Sequence, residues 1–137
     1  MTSTSLRRDP RIPPAQACVL RHALDRWAAE KPESIYAVFD DGSAWTFEQT
    51  RHRARSSAAA LSALGVERGD HVAVWLPSGM DVLQAMLGIN YLGAVYVPFN
   101  TAYRGSLLAH VIDNADADVL LTATAFLSRL REVSTGS

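Results

Sequence analysis

A chain of 137 residues is one domain's worth of sequence and long enough to bury a core. With 48% apolar and 20% charged residues it has the profile of a globular domain and is too apolar for disorder. Its 13 basic and 14 acidic residues leave a net charge of −1, which calls for neither nucleic acid nor an acidic membrane surface as a partner.

In chain order, residues 1–14, "MTSTSLRRDPRIPP", are expected to form a flexible arm. They carry no apolar run after their arginines, so they are not a secretory signal. From residue 15 onwards the pattern is that of folded structure. Val19, Leu20, Ala23, Leu24, Trp27 and Ala28 fall on one face of a helix, which Pro32 stops. Cys18, the sole cysteine, sits at the start of that amphipathic stretch and reads as core. It cannot pair within the chain, so a reducing cytoplasm is the expected setting. "SIYAVFDDGSAWTF" is two short strand-like runs around Asp41-Gly42, a hairpin signal. Thr46 caps the next helix, and Gln49 three residues on completes a capping box. Phe47, Ala54, Ala58 and Leu61 share a face of that helix. Gly65 suits the left-handed position after its last turn, where Val66 can pack back on Leu61.

After a turn at Arg68-Gly69-Asp70, "HVAVWL" is a strand. Ser78 and Asp81 are expected to cap a helix that runs through Leu92 and is apolar almost all round, hence deeply buried. Gly93 ends it. "AVYV" has no polar alternation, as in a parallel strand covered on both faces. "GSLLAHVIDNA" offers Leu107, Leu108, Val111 and Ile112 for a crossover helix, "DVLLT" is the next strand, and "ATAFLSRLREV" begins another helix. The apolar stretch from Val82 to Phe99 contains Gln84, Asn90 and two glycines, so it reads as buried helix and strand and not as a membrane span. The fold class is α/β: an open parallel sheet with crossover helices, preceded by a helix and a short hairpin.

In such sheets ligands sit outside the carboxyl ends of the strands. Three such ends are Pro77-Ser78-Gly79, Pro98-Phe99-Asn100 and Thr122-Ala123-Thr124. None is a phosphate loop, since no Gly-x-Gly-x-x-Gly follows a strand and no Gly-Lys-Ser/Thr occurs. Ser78 at a helix start reads as a cap in preference to an anion ligand. His22, His52, His71 and His110 lack ligand spacing, and Asp113, Asp116 and Asp118 fail the calcium-loop pattern, so no metal site is expected. No serine lies in Gly-x-Ser-x-Gly. Arg104, in "NTAYRGS" between a strand's carboxyl end and a helix, is the one candidate for binding a phosphate or carboxylate, with solvated surface arginine as its plain reading.

The order of several short features resembles the start of the acyl-adenylating (AMP-binding) superfamily, which includes acyl-CoA synthetases, adenylation domains and luciferases. The features are Thr46-Phe47 before a helix, Gly65-Val66, Gly69-Asp70-His71-Val72-Ala73, Leu92-Gly93-Ala94-Val95, and Pro98 with Asn100; the likeness runs from about Val19 to Val133. Asn100 to Arg104 resembles acyl-CoA ligases of the carnitine/crotonobetaine type. The resemblance implies that residues 15–137 are a partial N-terminal domain of a larger fold. A complete member converts a carboxylate and ATP, with Mg²⁺, to an acyl-adenylate and then a coenzyme A thioester. It uses a Ser/Thr/Gly-rich phosphate loop ending in Lys-Gly, a Tyr-Gly-x-Thr-Glu run, a ribose-binding Asp and a lid lysine. None of these is present here, and the only lysine is Lys31. No catalytic residue is therefore carried over, and the chain alone is expected to be inactive, to bind none of those cofactors, and to self-associate through its C-terminal region. A small non-catalytic α/β binding or interaction module is the alternative.

Overall fold

The computed structural model describes residues 11–134; the first ten positions of the expected arm and the last three residues of the chain lie outside the described residues. Element order is a 3-10 turn (Ala15–Cys18), α1 (Leu20–Glu30), β1 (Ile35–Val38), β2 (Ala44–Thr46), α2 (Phe47–Ala63), β3 (His71–Trp75), α3 (Met80–Leu92), β4 (Val95–Pro98), α4 (Gly105–Asn114), β5 (Ala117–Thr122), a second 3-10 turn (Thr124–Phe126) and α5 (Leu127–Ser134). β1 and β2 form the antiparallel hairpin, closed by Gly42 at φ 82°. β3 pairs in parallel with β4 on one side and β5 on the other, giving the order β4-β3-β5. The expected open parallel α/β sheet, with a helix and a hairpin before it, is the fold observed.

Alternation along β3 divides the core in two. Val72 and Val74 join Leu61 and Val66 from the end of α2 and Ala85 and Ile89 from α3. Ala73 and Trp75 point the other way, towards Leu108 of α4 and Phe126. Successive strand side chains face opposite sides, so one strand anchors both layers. A third cluster ties α1 to the α2/α3 layer through Leu24, Ala54, Leu87 and Tyr91. The Tyr91 hydroxyl donates to Asp25 Oδ1 at 2.7 Å. Burial, then that bond and the charge of Asp25, push the phenol well above the usual tyrosine range.

The local signals explain where elements stop. Thr46 Oγ1 accepts the Gln49 N–H at 3.2 Å, and Gln49 Oε1 accepts the Thr46 N–H at 3.0 Å. The buried Thr50 hydroxyl donates to the Thr46 carbonyl at 2.7 Å, so the first turn of α2 leaves that hydroxyl satisfied. At the other end Gly65 adopts φ 91°, its N–H reaches the Ser62 carbonyl, and the Val66 N–H reaches the Leu61 carbonyl at 3.1 Å. This pair of bonds is the Schellman arrangement, and the buried Leu61 and Val66 complete it.

Several expectations are corrected. Ser78 does not cap α3: the cap is Gly79, whose φ of 146° and ψ of −159° suit glycine, and the helix starts one residue later with no side-chain cap. Asp81 still lies in the first turn, where its charge complements the helix dipole. Leu107 is 52% exposed, because the helical phase that buries Leu108 turns its neighbour outward. Val19 is exposed as the residue before α1, and Cys18, placed in the 3-10 turn, is exposed and not core. Val95 is 42% exposed, since β4 is an edge strand paired only with β3 among the described residues.

α2 and α3 approach unusually closely at Gly88. A Cβ there would overlap Ser57 Oγ, lie 2.5 Å from Ser57 Cβ and 3.1 Å from the Ala58 nitrogen. Gly88→Ala raises helix propensity by roughly 0.5–1 kcal/mol. Overpacking at a fixed helix pair costs about 1–3 kcal/mol, so the net expectation is destabilisation, read from the midpoint of urea unfolding. The caps give a matched pair for the same assay. Thr46→Ala removes a bonded cap and should cost about 0.5–2 kcal/mol. Ser78→Ala removes none and should stay within roughly 0.5 kcal/mol of the parent.

Candidate functional site at the carboxyl ends of the strands

β3, β4 and β5 are parallel, so all three carboxyl ends open at one rim of the sheet. From the end of β3 the chain turns into α3, which covers one face; from the end of β5 it turns into the second 3-10 turn and α5, which cover the other. Loops diverging from adjacent strands leave a crevice between them, the usual ligand position in open α/β sheets. Such a cleft is present between the ends of β3 and β5. It measures about 660 Å³ and is lined by Leu76, Asp81, Gln84, Leu121, Thr122 and Thr124 among others. One of its lining hydroxyls is already engaged, for Thr122 Oγ1 donates to the Trp75 carbonyl at 3.1 Å.

The loop between β4 and α4 sits at the same rim. Asn100 organises it: its Oδ1 accepts the Ala102 N–H at 2.9 Å, and its carbonyl accepts both the Tyr103 N–H at 3.1 Å and the Trp75 indole N–H at 3.0 Å. Trp75 is fully buried, so its indole donor needs such a partner. Arg104 follows as the N-cap position of α4, with extended backbone and an exposed side chain. The structure thus places Arg104 where the sequence placed it, beyond a strand's carboxyl end. It does not bring Arg104 and Ser78 together: neither lines the cleft.

A larger hollow of about 830 Å³ lies over the hairpin and α2, lined by Asp41, Trp45, Glu48, His52, Arg53 and neighbours. There the Ser43 hydroxyl and N–H both donate to Asp41 Oδ1 and hold its carboxyl below the usual range. The Arg53 guanidinium lies 4.6 Å from the Trp45 ring centroid. Because most of its polar residues are exposed and Arg53 covers its aromatic floor, this hollow is less suited to a ligand than the rim.

The histidines are engaged or dispersed. His71 Nδ1 donates to the Ala115 carbonyl at 2.8 Å, and His110 faces Asn114 one turn on. Among the described residues no group of three or more His, Cys, Asp or Glu side chains could hold a metal ion, and no helix is long and apolar enough to cross a membrane. Asp113, Asp116 and Asp118 are all exposed around the entry to β5.

One participant at the rim escaped sequence reasoning. Arg129 on α5 donates from Nη1 to the Thr101 carbonyl at 2.7 Å. In sequence it is an ordinary arginine of an amphipathic helix, 28 positions from its partner.

These residues supply a sheet rim, one exposed guanidinium and a cleft, without any phosphate-cradling run. Comparison with known proteins identifies the larger architecture. A model of the family described as AMP-binding enzyme matches residues 24–136. The 3-[(3aS,4S,7aS)-7a-methyl-1,5-dioxo-octahydro-1H-inden-4-yl]propanoyl:CoA ligase of Rhodococcus jostii is 41% identical over 112 residues, covering 82% of this chain and 22% of that ligase. The 2-succinylbenzoate–CoA ligase of Oceanobacillus iheyensis is 33% identical over 105 residues, 77% of this chain and 22% of the ligase. Among solved structures, the N-terminal domain of FACL13 from Mycobacterium tuberculosis superposes with a TM-score of 0.79 at 23% identity, over 85% of this chain and 30% of that one. The chain therefore spans 22% of the length of each of these two ligases, and on the match over residues 24–136 it belongs to the AMP-binding enzyme family.

Proposed function

We propose that this chain supplies the opening α/β layers of an acyl-CoA ligase, a scaffold whose strand ends support a carboxylate-activating site completed by residues outside it. The whole enzyme, with Mg²⁺, joins a carboxylic acid to ATP as an acyl-adenylate with release of pyrophosphate and then forms the coenzyme A thioester with release of AMP, in the cytoplasm. The observation that carries this reading is the 41% identity over 112 residues with the Rhodococcus jostii ligase. The scaffold role follows from chemistry: phosphoryl transfer depends on preorganised charge around the phosphates, and the sequence offers no loop to provide it. Arg104, exposed at the rim, is the residue of this chain assigned to a phosphate or carboxylate of the bound substrates. The finer likeness to carnitine/crotonobetaine-type ligases rests on Asn100 to Arg104 alone.

The isolated chain should show no ATP–pyrophosphate exchange with a panel of acids that includes ring-bearing carboxylic acids. Substituted for the matching segment of the Rhodococcus jostii ligase, it should retain thioester formation. Exchange by the isolated chain above a no-protein control, or a folded but inactive chimera, would overturn the reading.

The same reading extends to self-association. β5 has no partner on its outer side among the described residues, Val119, Leu120, Leu121 and Leu130 are half-buried, and Leu127 is exposed. Phe126 does not contribute, because it is buried against Trp75 with ring centroids 4.6 Å apart. An open edge beside apolar side chains favours pairing with a second copy. Light scattering behind size exclusion should report a dimer of the isolated chain, and a monomer at high concentration would refute it.

A further inference from the structure

We propose that Arg129 is the positioning residue of the β4–α4 loop, a latch by which α5 fixes the segment that presents Arg104. Four contacts carry the inference. The guanidinium donates to the Thr101 carbonyl at 2.7 Å, a short, charge-assisted bond to a loop backbone atom. Its carbon lies 4.9 Å from the Phe126 ring centroid and 5.8 Å from that of Trp75, so the cation rests over an aromatic pair that is itself buried. The Trp75 indole meanwhile donates to the Asn100 carbonyl at 3.0 Å. Consecutive loop carbonyls, those of Asn100 and Thr101, are thus held from two directions, one by the central strand and one by the last helix.

Asn100, Thr101 and Ala102 are exposed, so few packing contacts of their own hold the loop on its path into α4. Asn100 makes the turn locally through Ala102 and Tyr103, but a local turn alone leaves the loop free to swing about its ends. Arg129 removes that freedom. It is half-buried, and its planar fork suits a task that a flexible ammonium performs less well. The latch itself stands on these contacts. Only its consequence for activity, a fixed Arg104, rests on the acyl-CoA ligase reading.

The test is amide hydrogen exchange, resolved by residue, on the full chain and on Arg129→Met and Arg129→Lys. Met keeps the stem and loses the charge and the donor; Lys keeps both without the fork. Losing a charge-assisted bond and a cation–π contact should speed exchange of the Ala102 and Tyr103 amides about tenfold in Arg129→Met. Arg129→Lys should fall between Met and the parent. The Phe99 amide, bonded to the Val74 carbonyl at 2.8 Å, should not change and reports any global loosening. Unchanged exchange at Ala102 and Tyr103, equal acceleration at Phe99, or a Lys variant indistinguishable from Met would each overturn the proposal. This readout needs no enzyme activity, so its failure is separate from failure of the chimera.

Discussion

The structure depends on β3, the one strand of the described sheet that is paired on both sides. Val72, Ala73, Val74 and Trp75 are all buried, so both faces of the strand must be covered and every backbone group between them paired. Two parallel neighbours satisfy the backbone. Crossovers satisfy the faces, because a parallel neighbour can be reached only through a long connection, here a helix. The order β4-β3-β5 follows from laying one crossover on each side of the strand formed first in the sequence. The same order creates the crevice at its carboxyl end, so the candidate site is a by-product of how β3 is covered.

The two layers are made differently. On the α2/α3 side the helices meet at Gly88 and Ser57, and the absence of a side chain at Gly88 lets one backbone lie against the other. On the α4/α5 side the closure is aromatic: the Trp75 and Phe126 rings meet at a 36° tilt, and Arg129 lies over them. The first layer is small-residue packing at the helix midpoints, the second a polar-edged aromatic cluster at the rim. The side-chain contacts to the loop carbonyls at the rim come from this second layer.

Much of this was legible in the sequence because the signals are local. Thr46 with Gln49, Gly65 with Val66, and Gly93 each fix an element end through bonds within six residues, and all three appear as read. The family features lie on those same turns and strands. Readings failed where a choice of one residue hangs on backbone geometry or helix phase. Ser78 and Gly79 are both credible caps, and the backbone of Gly79 decides between them. Leu107 and Leu108 are chemically identical, and only the docking of α4 buries the second. Phe126 is buried by Trp75, a partner 51 positions away that no local pattern announces. Arg129 gave no signal, since its acceptor is a backbone carbonyl that any residue at position 101 would supply.

That pattern bears on function. The sequence specifies its turns firmly and places no glycine-rich loop at the strand ends that form the rim. Several polar groups there are engaged with the protein itself: Thr122 with the Trp75 carbonyl, Asn100 with its own turn, and the Trp75 indole with Asn100. Groups engaged in this way position neighbours and leave transition-state charge to others. Arg104, exposed at the head of α4 in the latched loop, stands apart from them. A rim where several polar groups are engaged internally and a guanidinium faces solvent is a support to which a phosphate-handling loop can be added, and this is the physical sense of the scaffold role proposed for the chain.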